Sequence, residues 1–298
     1  MPTRSASPEA RPLTALSIMG LCVSVLLIGC AAEKQPASRY SQSQDTAPAR
    51  IIDPATLKDA VPRVEPKSRW GNAESYVVLG RRYQTLASNE NYVERGVASW
   101  YGTKFHGHRT SSGDTYDMYG MSAAHKSLPL PTYAQVTNLR NGKSVIVKIN
   151  DRGPFHDNRL IDLSYAAAAK LDILSAGTGL VEVRAINPQR HLADQQKPKI
   201  TASKPKFAAA HQPVAKTAPD PVMYLQLGAF SDRDNAERLR SRLDGLELPG
   251  ALHISEGVAG EQRVYRVRVG PMPTVDSADQ ASRILATHGI DSPRIVID

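Results

Sequence analysis

Residues 133–155 read Tyr-Ala-Gln-Val-Thr-Asn-Leu-Arg-Asn-Gly-Lys-Ser-Val-Ile-Val-Lys-Ile-Asn-Asp-Arg-Gly-Pro-Phe. Two apolar or alternating segments, 133–139 and 144–150, predict β-strands. Asn141-Gly142 between them predicts a tight hairpin, because both residues tolerate positive φ. Asp151 follows the second strand directly, and Arg-Gly-Pro predicts a sharp exit after it. The stretch therefore predicts a carboxylate at the rim of a sheet, where it either caps the turn or takes part in catalysis.

Further strand and helix signals follow this hairpin. Leu160–Leu163 and Leu180–Ile186 predict strands, and Ser164 is placed to cap a short alanine-rich helix over Tyr165–Leu171. Many short strands with a single helix indicate a compact barrel domain. We place this domain at residues 96–187.

Upstream of the hairpin the same domain carries polar side chains in short breaks between strands. Asp114 follows Ser-Ser-Gly in a turn, where a short acidic side chain either bonds its own backbone or acts on a substrate. His125 follows a run of small residues that looks buried, so a structural histidine is the alternative to a catalytic one. The histidines lack the spacing of a metal site and the serines lack a nucleophile elbow. We therefore expect neither a metal nor a serine nucleophile.

The first 29 residues predict a lipoprotein signal peptide. Arg4 and Arg11 precede an apolar run that is too short and badly flanked to span a membrane. The run ends in Leu27-Ile-Gly-Cys30, which resembles a bacterial lipobox and implies cleavage before Cys30 and lipidation of that residue. An ordinary secretory signal is the alternative. Ala31 at the next position favours sorting to the outer membrane, and no cysteine pair remains in the mature chain for a disulfide.

Segments of biased composition separate the folded regions. Residues 30–64 are rich in Ser, Gln, Ala and Pro and predict a flexible tether, residues 65–95 predict a hairpin extension, and residues 188–221 predict a linker. The net charge of +8 is spread over the linker and the middle of the chain, without an arginine-rich stripe. We therefore expect anionic cell-wall polymer, and not nucleic acid, as the partner of this charge.

Residues 222–298 predict a second domain with two similar halves. Leu225-Gln-Leu-Gly228 matches Val267-Arg-Val-Gly270, and a helix-like segment follows each. Two further strands give the order β-α-β-β-α-β, a small α+β sheet of ferredoxin-like or RNP-like type. Period-2 alternation turns several polar or aromatic side chains to the open face, which suits either a bound sugar chain or a solvated surface. These side chains are Tyr224, Gln226, Arg266 and Arg268.

Ordered motifs between residues 96 and 187 allow a comparison with known families. They are Gly96-Val-Ala-Ser-Trp-Tyr-Gly102, Phe105-His-Gly-His-Arg-Thr-Ser-Ser-Gly113, Tyr116-Asp-Met118, Ala123-Ala-His-Lys126, Leu128-Pro-Leu-Pro131, Val136-Thr-Asn138, Asn150-Asp-Arg-Gly-Pro-Phe155 and Ile161-Asp-Leu-Ser164. Together they resemble the rare lipoprotein A (RlpA) family of septal lytic transglycosylases. The resemblance implies a mainly β fold with a six-stranded double-psi β-barrel. The second domain, with Gln226-Leu-Gly-Ala-Phe230 and Val267-Arg-Val-Gly-Pro271, resembles a SPOR domain, which implies recognition of glycan strands stripped of their peptides.

Position by position, the resemblance implies that Asp151, His125 and Asp114 are the catalytic residues. The family has Glu in the turn where this chain has Asp114, which is one methylene shorter. The implied reaction needs no cofactor. Asp151 serves as acid and base, while the C6 hydroxyl of N-acetylmuramic acid (MurNAc) attacks C1 of the same sugar and leaves a 1,6-anhydro end. Tyr101 and Arg152 are expected to contact the substrate.

The leading hypothesis is an endolytic transglycosylase that cleaves peptide-free glycan strands at the division septum. Its lipid would hold it at the outer membrane, facing the periplasm, with division proteins as further partners. A glycan-binding protein that does not cut the wall is the alternative, and the shorter side chain of Asp114 favours it slightly. A metal-dependent amidase or peptidase lacks the ligand motifs. The enzyme hypothesis predicts that Asp114, His125 and Asp151 line one groove.

Overall fold

The computed structural model describes residues 42, 44–196, 220–291 and 293–298. The predicted signal peptide with its Cys30 and most of the predicted linker lie outside these residues. Ahead of the barrel the chain forms a short 3-10 helix and a β-hairpin. Their bounds are Pro54–Thr56 for the 3-10 helix, Ser75–Val78 for β1 and Arg81–Gln84 for β2.

Six strands and one helix form the central domain. They are β3 (Val93–Tyr101), β4 (Ser122–His125), β5 (Thr132–Asn138), β6 (Ser144–Asp151), β7 (Arg159–Ser164), α1 (Tyr165–Leu171) and β8 (Gly179–Ile186). The strands close into a barrel in the order β3-β7-β4-β6-β5-β8, in which β3–β7 and β4–β6 are parallel and the other pairs antiparallel. Closure leaves no open sheet edge in this domain. The predicted six-stranded barrel is confirmed.

The local sequence explains the turns of the barrel. Gly142 has a φ of +72° and lies in the β5–β6 hairpin, as the Asn-Gly pair predicts. Ser164 caps α1 by accepting a hydrogen bond from Ala167 N at 3.2 Å, and Asp172 ends the helix in the left-handed region. Inward side chains such as Ile149 are fully buried, and each contributes roughly 1.5–3 kcal/mol to stability.

Residues 44–72, which we call the strap, lie along the outside of the barrel. Ala60 N donates to the carbonyl oxygen of Ile146 in β6 at 3.0 Å, and Lys170 Nζ of α1 bonds Asp59 Oδ1 at 2.8 Å. The second half of the predicted tether therefore differs from the expectation of a free chain. Its hydrogen bonds and ion pair with the barrel offset part of the entropy lost on ordering the segment.

The C-terminal domain has the predicted order of elements. After a helix α2 (Pro188–Gln196), at the start of the predicted linker, come β9 (Met223–Phe230), α3 (Arg233–Leu243), β10 (Leu252–Ala259), β11 (Gln262–Met272), α4 (Val275–Ala286) and β12 (Arg294–Ile297). The four strands form an antiparallel sheet in the order β10-β11-β9-β12. Leu225 and Val269 are fully buried in one core with residues of both helices, and Val267 is also fully buried, as the alternation predicts.

Candidate active site

The carboxylate of Asp151 is fixed by the turn that carries Asp114. Its Oδ1 accepts three hydrogen bonds, from Ser111 N at 2.8 Å, from Ser111 Oγ at 2.6 Å and from Arg152 N at 2.7 Å. Within the part of the chain that the structure describes, no hydrogen bond to Oδ2 of Asp151 is present. The half-buried carboxylate is thus oriented through one of its two oxygens.

Asp114 lies on the other side of the same turn. Its Oδ2 accepts a hydrogen bond from Asn150 Nδ2 at 3.1 Å and lies 3.5 Å from Lys148 Nζ. Burial alone would raise the pKa of Asp114, but the hydrogen bond from Asn150 and the charge of Lys148 outweigh it and hold the pKa below the ordinary value of 3.8. Asp114 is therefore an anion at neutral pH, with 45% of its side chain exposed.

An open cavity of about 720 Å³ borders this pair of loops. Asp114, Lys148 and Asn150 form part of its wall, and the strap forms the opposite part through residues 56–61 and Arg63. Asp151 is the next residue after Asn150, at the end of β6, but is not itself part of the wall. Of the two carboxylates, therefore, only that of Asp114 borders the cavity directly.

His125 does not join the two carboxylates. Its ring is 2% exposed and all its hydrogen-bonding atoms are used. Nδ1 accepts from Ser127 N at 3.2 Å and from Leu128 N at 3.1 Å, and Nε2 lies 2.9 Å from the hydroxyl of Tyr92, which in turn donates to Glu94. His125 borders a different cavity, and of the three residues only Asp114 lines the cavity beside the strap, while Asp151 is joined to the Asp114 turn through Ser111. The expectation that all three line one groove is therefore not met.

The buried ring gives a measurable pH dependence of stability. Burial, aided by the nearby positive charges of Arg152 and Lys126, lowers the pKa of His125 to about 3. Between about pH 6.5 and 3 the unfolded chain then binds a proton that the folded chain does not, so His125 costs about 1.4 kcal/mol of stability for each pH unit of acidification. Asp162 acts in the opposite sense, because burial raises its pKa to about 6 from 3.8.

His125→Asn isolates the histidine, because the amide oxygen can still accept from the backbone but does not titrate. Relative to wild type, the variant should gain about 1.4 kcal/mol of stability per pH unit between pH 6 and 4. Urea unfolding followed by tryptophan fluorescence measures this, since both tryptophans, Trp70 and Trp100, precede the C-terminal domain. If the difference in stability between His125→Asn and wild type did not change with pH, the His125 ring would not be unprotonated in the folded protein as described.

Arg152 and Tyr101 occupy structural positions beside the site. The Arg152 guanidinium donates to the carbonyl oxygens of Leu128 at 2.6 Å and Gly71 at 2.8 Å, so it ties the strap to the loop after β4. Tyr101 is 8% exposed and stacks on Tyr116 with ring centroids 4.1 Å apart. Its hydroxyl lies close enough to Asp151 for that charge, after burial, to raise its pKa well above 10. Neither side chain presents the open contact surface that the sequence suggested.

Sequence reasoning missed Trp70 and Lys148. Trp70 belongs to the strap, is 62% exposed and packs against Gly113, where a Cβ atom would come within 2.9 Å of the indole. Gly113 therefore has to be glycine for this contact and for its φ of +95°. Lys148 alternates with buried residues of β6, and this alternation predicts only that its side chain points out of the barrel. No pattern in the sequence signals that the strap returns to this turn.

The predicted glycan-binding face of the C-terminal domain has the expected aromatic centre. The Tyr224 ring contacts His253 with centroids 5.5 Å apart, and the Arg268 guanidinium lies 5.6 Å from the Tyr224 centroid. Gln226 pairs with Arg268 across the strands. Arg266 is bonded instead to the end of β10, where it donates to the Val258 carbonyl oxygen at 3.4 Å. Tyr224, Gln226 and Arg268 thus form one patch with Arg266 at its side.

Within the described ranges, no three His, Cys, Asp or Glu side chains are grouped so that they could hold a metal ion. None of the helices in these ranges has the length and apolar character needed to cross a membrane.

Comparison with known proteins agrees with both domains. A family model described as lytic transglycolase matches residues 93–183, and the SPOR domain model matches residues 220–292. The barrel and the C-terminal sheet, with the models that match them, define a peptidoglycan lytic transglycosylase with a SPOR domain. The chain belongs to the RlpA family of endolytic peptidoglycan transglycosylases, as its similarity to the Pseudomonas aeruginosa enzyme shows.

The similarity to these relatives extends over most of the chain. The endolytic peptidoglycan transglycosylase RlpA of Pseudomonas aeruginosa strain UCBPP-PA14 is 38% identical over an alignment of 332 positions, gaps included, which covers 95% of this chain and 96% of that protein. The RlpA of Vibrio cholerae is 46% identical over 182 residues, covering 61% and 68%. The crystal structure of the RlpA SPOR domain from Pseudomonas aeruginosa is 32% identical, covers 25% of this chain and 96% of its own, and gives a TM-score of 0.23.

Proposed function

We propose that this transglycosylase cleaves the MurNAc–GlcNAc bond within peptide-free glycan strands and leaves 1,6-anhydroMurNAc ends. It would act at the division septum, held at the outer membrane by a lipid on Cys30 and accompanied by division proteins. The observation that carries the chemical part is the shared turn: Ser111 fixes one oxygen of Asp151, while Asp114 lies on the cavity wall three residues later.

The proposed reaction is balanced and does not use water as a reactant. A protonated Asp151 donates to the glycosidic oxygen as the bond between that oxygen and C1 of MurNAc breaks. Positive charge develops at C1 and the ring oxygen, and the anionic Asp114 on the cavity wall stabilises it. The C6 hydroxyl then bonds to C1 and returns its proton to Asp151.

The remaining side chains support this geometry in our proposal. His125 holds the backbone of the loop after β4 through its two accepted hydrogen bonds, and Arg152 bonds the carbonyl oxygen of the same loop, so both act as positioning residues. Tyr101 lies beneath Asp151 and orders the barrel rim. Trp70 offers an exposed aromatic face for a pyranose ring beside the acidic turn.

The function is tested with purified protein and two preparations of sacculi, one treated with an amidase to remove stem peptides and one untreated. Mass spectrometry should find anhydro-ended glycans chiefly from the treated sacculi. Products from neither preparation would refute the proposed reaction. Equal yields from both would refute the preference for peptide-free strands and leave the reaction intact.

The SPOR domain carries a separate expected outcome. Tyr224→Ala combined with Gln226→Ala removes the aromatic centre of this half-buried patch and should weaken sedimentation with amidase-treated sacculi about tenfold, since a stacked ring contributes on the order of 1 kcal/mol. Turnover of short soluble glycans should remain at the wild-type rate, because the barrel is unchanged. Glu237→Ala on the exposed side of α3 is the control and should bind as wild type. If the double variant sedimented as wild type does, this face of the sheet would not bind glycan.

A further inference from the structure

The cavity beside Asp114 is lined by charged side chains, some of which are paired within the protein while others are not. Three cations and three carboxylates belong to its wall. They are Lys58, Asp59, Arg63, Asp114, Asp117 and Lys148. Formal charges therefore cancel, and the partners of each group decide which charges remain to meet a ligand.

The carboxylates already have partners. Asp59 pairs with Lys170 of α1 at 2.8 Å, and Asp117 accepts a hydrogen bond from the backbone N–H of Tyr119 at 3.0 Å. Asp114 is bonded to Asn150 and lies 3.5 Å from Lys148. None of the three is left as an isolated negative charge.

Two of the cations are not engaged in this way. Lys58 and Arg63 are exposed, and in the described ranges the structure contains no hydrogen bond or ion pair from either side chain. Ala60 lies between them and bonds the β6 backbone at 3.0 Å, so the barrel fixes the segment that carries both. The strap therefore carries two cationic side chains, unpaired among the described residues, on a backbone segment held by the barrel, into the wall of the cavity that also contains Asp114.

Lys148 shows that this wall accommodates carboxylates. Its Nζ lies 3.0 Å from Glu65 Oε2 and 3.5 Å from Asp114 Oδ2, and Tyr133 donates to the other oxygen of Glu65. An ammonium group has three donors, and two are used here. A further carboxylate in the cavity would find Lys148 on one side and the strap cations on the other.

The substrate class supplies such a carboxylate. The lactyl group of MurNAc is attached to the same ring as the reacting C1, and it ends in a free carboxylate only when the stem peptide is absent. In a peptide-bearing strand the same carbon is an uncharged amide. The anionic Asp114 would repel the free carboxylate, and nearby cations are needed to offset that repulsion.

We propose that Lys58 and Arg63 of the strap, together with Lys148, form a subsite for the free lactyl carboxylate of MurNAc beside Asp114. This inference rests on the proposed function and assigns its preference for peptide-free strands to the barrel, independently of the SPOR domain. The strap, which the sequence predicts to be a tether, is then a wall of the substrate cleft.

The test uses the full chain and two soluble glycans of equal length. One is peptide-free with free lactyl carboxylates, and the other is the same glycan with each carboxylate converted to a methylamide. Wild type should cleave the acid with a kcat/KM about tenfold above that of the amide, as expected for charge-assisted bonds to partly exposed groups. Lys58→Gln combined with Arg63→Gln should lose most of this ratio through KM, with kcat retained.

Two comparisons make the result specific. The double variant should cleave the methylamide as fast as wild type, because the uncharged group does not use the cations. Arg140→Gln removes an exposed charge from the β5–β6 hairpin, beside another cavity, and should keep the wild-type ratio. Raising the salt concentration should shrink the ratio for wild type.

The outcomes separate this inference from the proposed function. If wild type cleaves acid and amide equally, or the double variant keeps the ratio, the subsite is wrong while the reaction stands. If wild type cleaves neither glycan, the proposed function fails. Titration calorimetry with the same two glycans then decides the inference, because the difference in affinity between acid and amide must still be smaller in the double variant than in wild type.

Discussion

Asp151→Asn should lower the formation of anhydro-ended glycans about 10³-fold, in the middle of the range lost when a positioned acid–base group is removed. The amide oxygen of Asn can still accept from Ser111 N, Ser111 Oγ and Arg152 N, so the local structure should persist. Only the transferable proton is lost. Mass spectrometry of digested amidase-treated sacculi measures the effect against wild type at equal protein concentration.

The controls for Asp151→Asn address folding and binding. Sedimentation with sacculi should equal that of wild type, because the SPOR sheet is untouched. Ser111→Ala removes one of the three bonds to Oδ1 and leaves the carboxylate, so its activity should lie between those of wild type and Asp151→Asn. If the Asp151→Asn protein cleaved as fast as wild type, Asp151 would not be the acid and base of the reaction.

The barrel and the SPOR sheet were predictable because their signals are local. Asn141-Gly142 fixes a hairpin through backbone preference, and Ser164 fixes a helix start by a bond that spans three residues. Leu225 and Val267 follow a period-2 pattern, which is enough to orient a strand whose one face is buried. Each of these features depends on a few neighbouring residues, so the sequence predicts them without knowledge of tertiary contacts.

The strap and the role of His125 were not predictable for the opposite reason. Arg152 bonds Gly71, 81 residues away, and Ser68 Oγ bonds the Ser112 carbonyl, 44 residues away. The strap has no apolar periodicity, and single bonds of this kind, made by one serine hydroxyl and one glycine carbonyl, leave no pattern in the sequence. His125 could be read as structural or catalytic, and only the two backbone donors to its Nδ1 show which of its atoms are occupied.

These long-range bonds connect the strap to the chemistry of the site. Ser68 and Trp70 contact the turn at Ser112 and Gly113, while Ser111 of the same turn holds Asp151. The turn is thus fixed from two directions, by the strap outside and by the end of β6 beneath. A carboxylate that must stay within a fraction of an ångström of its working position needs such support.

Asp114 stands where the family has Glu. Variants at this position should separate the effect of the negative charge from the effect of side-chain length. Asp114→Asn keeps an acceptor for Asn150 but removes the negative charge, so cleavage should fall about 10²-fold. Asp117→Asn is the matched control, since Asp117 lines the same cavity but bonds its own turn, and its rate should stay near wild type. Equal losses in the two variants would mean that Asp114 has no special role.

Asp114→Glu tests reach. The added methylene extends the carboxylate by about an ångström into an open cavity of about 720 Å³, where no backbone has to move to admit it. If the developing charge at C1 lies at the distance suited to Glu, cleavage should rise about tenfold while Lys148 still holds the anion. A fall in rate would show that the site, as Ser111, Asn150 and Lys148 arrange it, requires the shorter Asp side chain. The sign of the change therefore shows which carboxylate length this cleft requires at position 114.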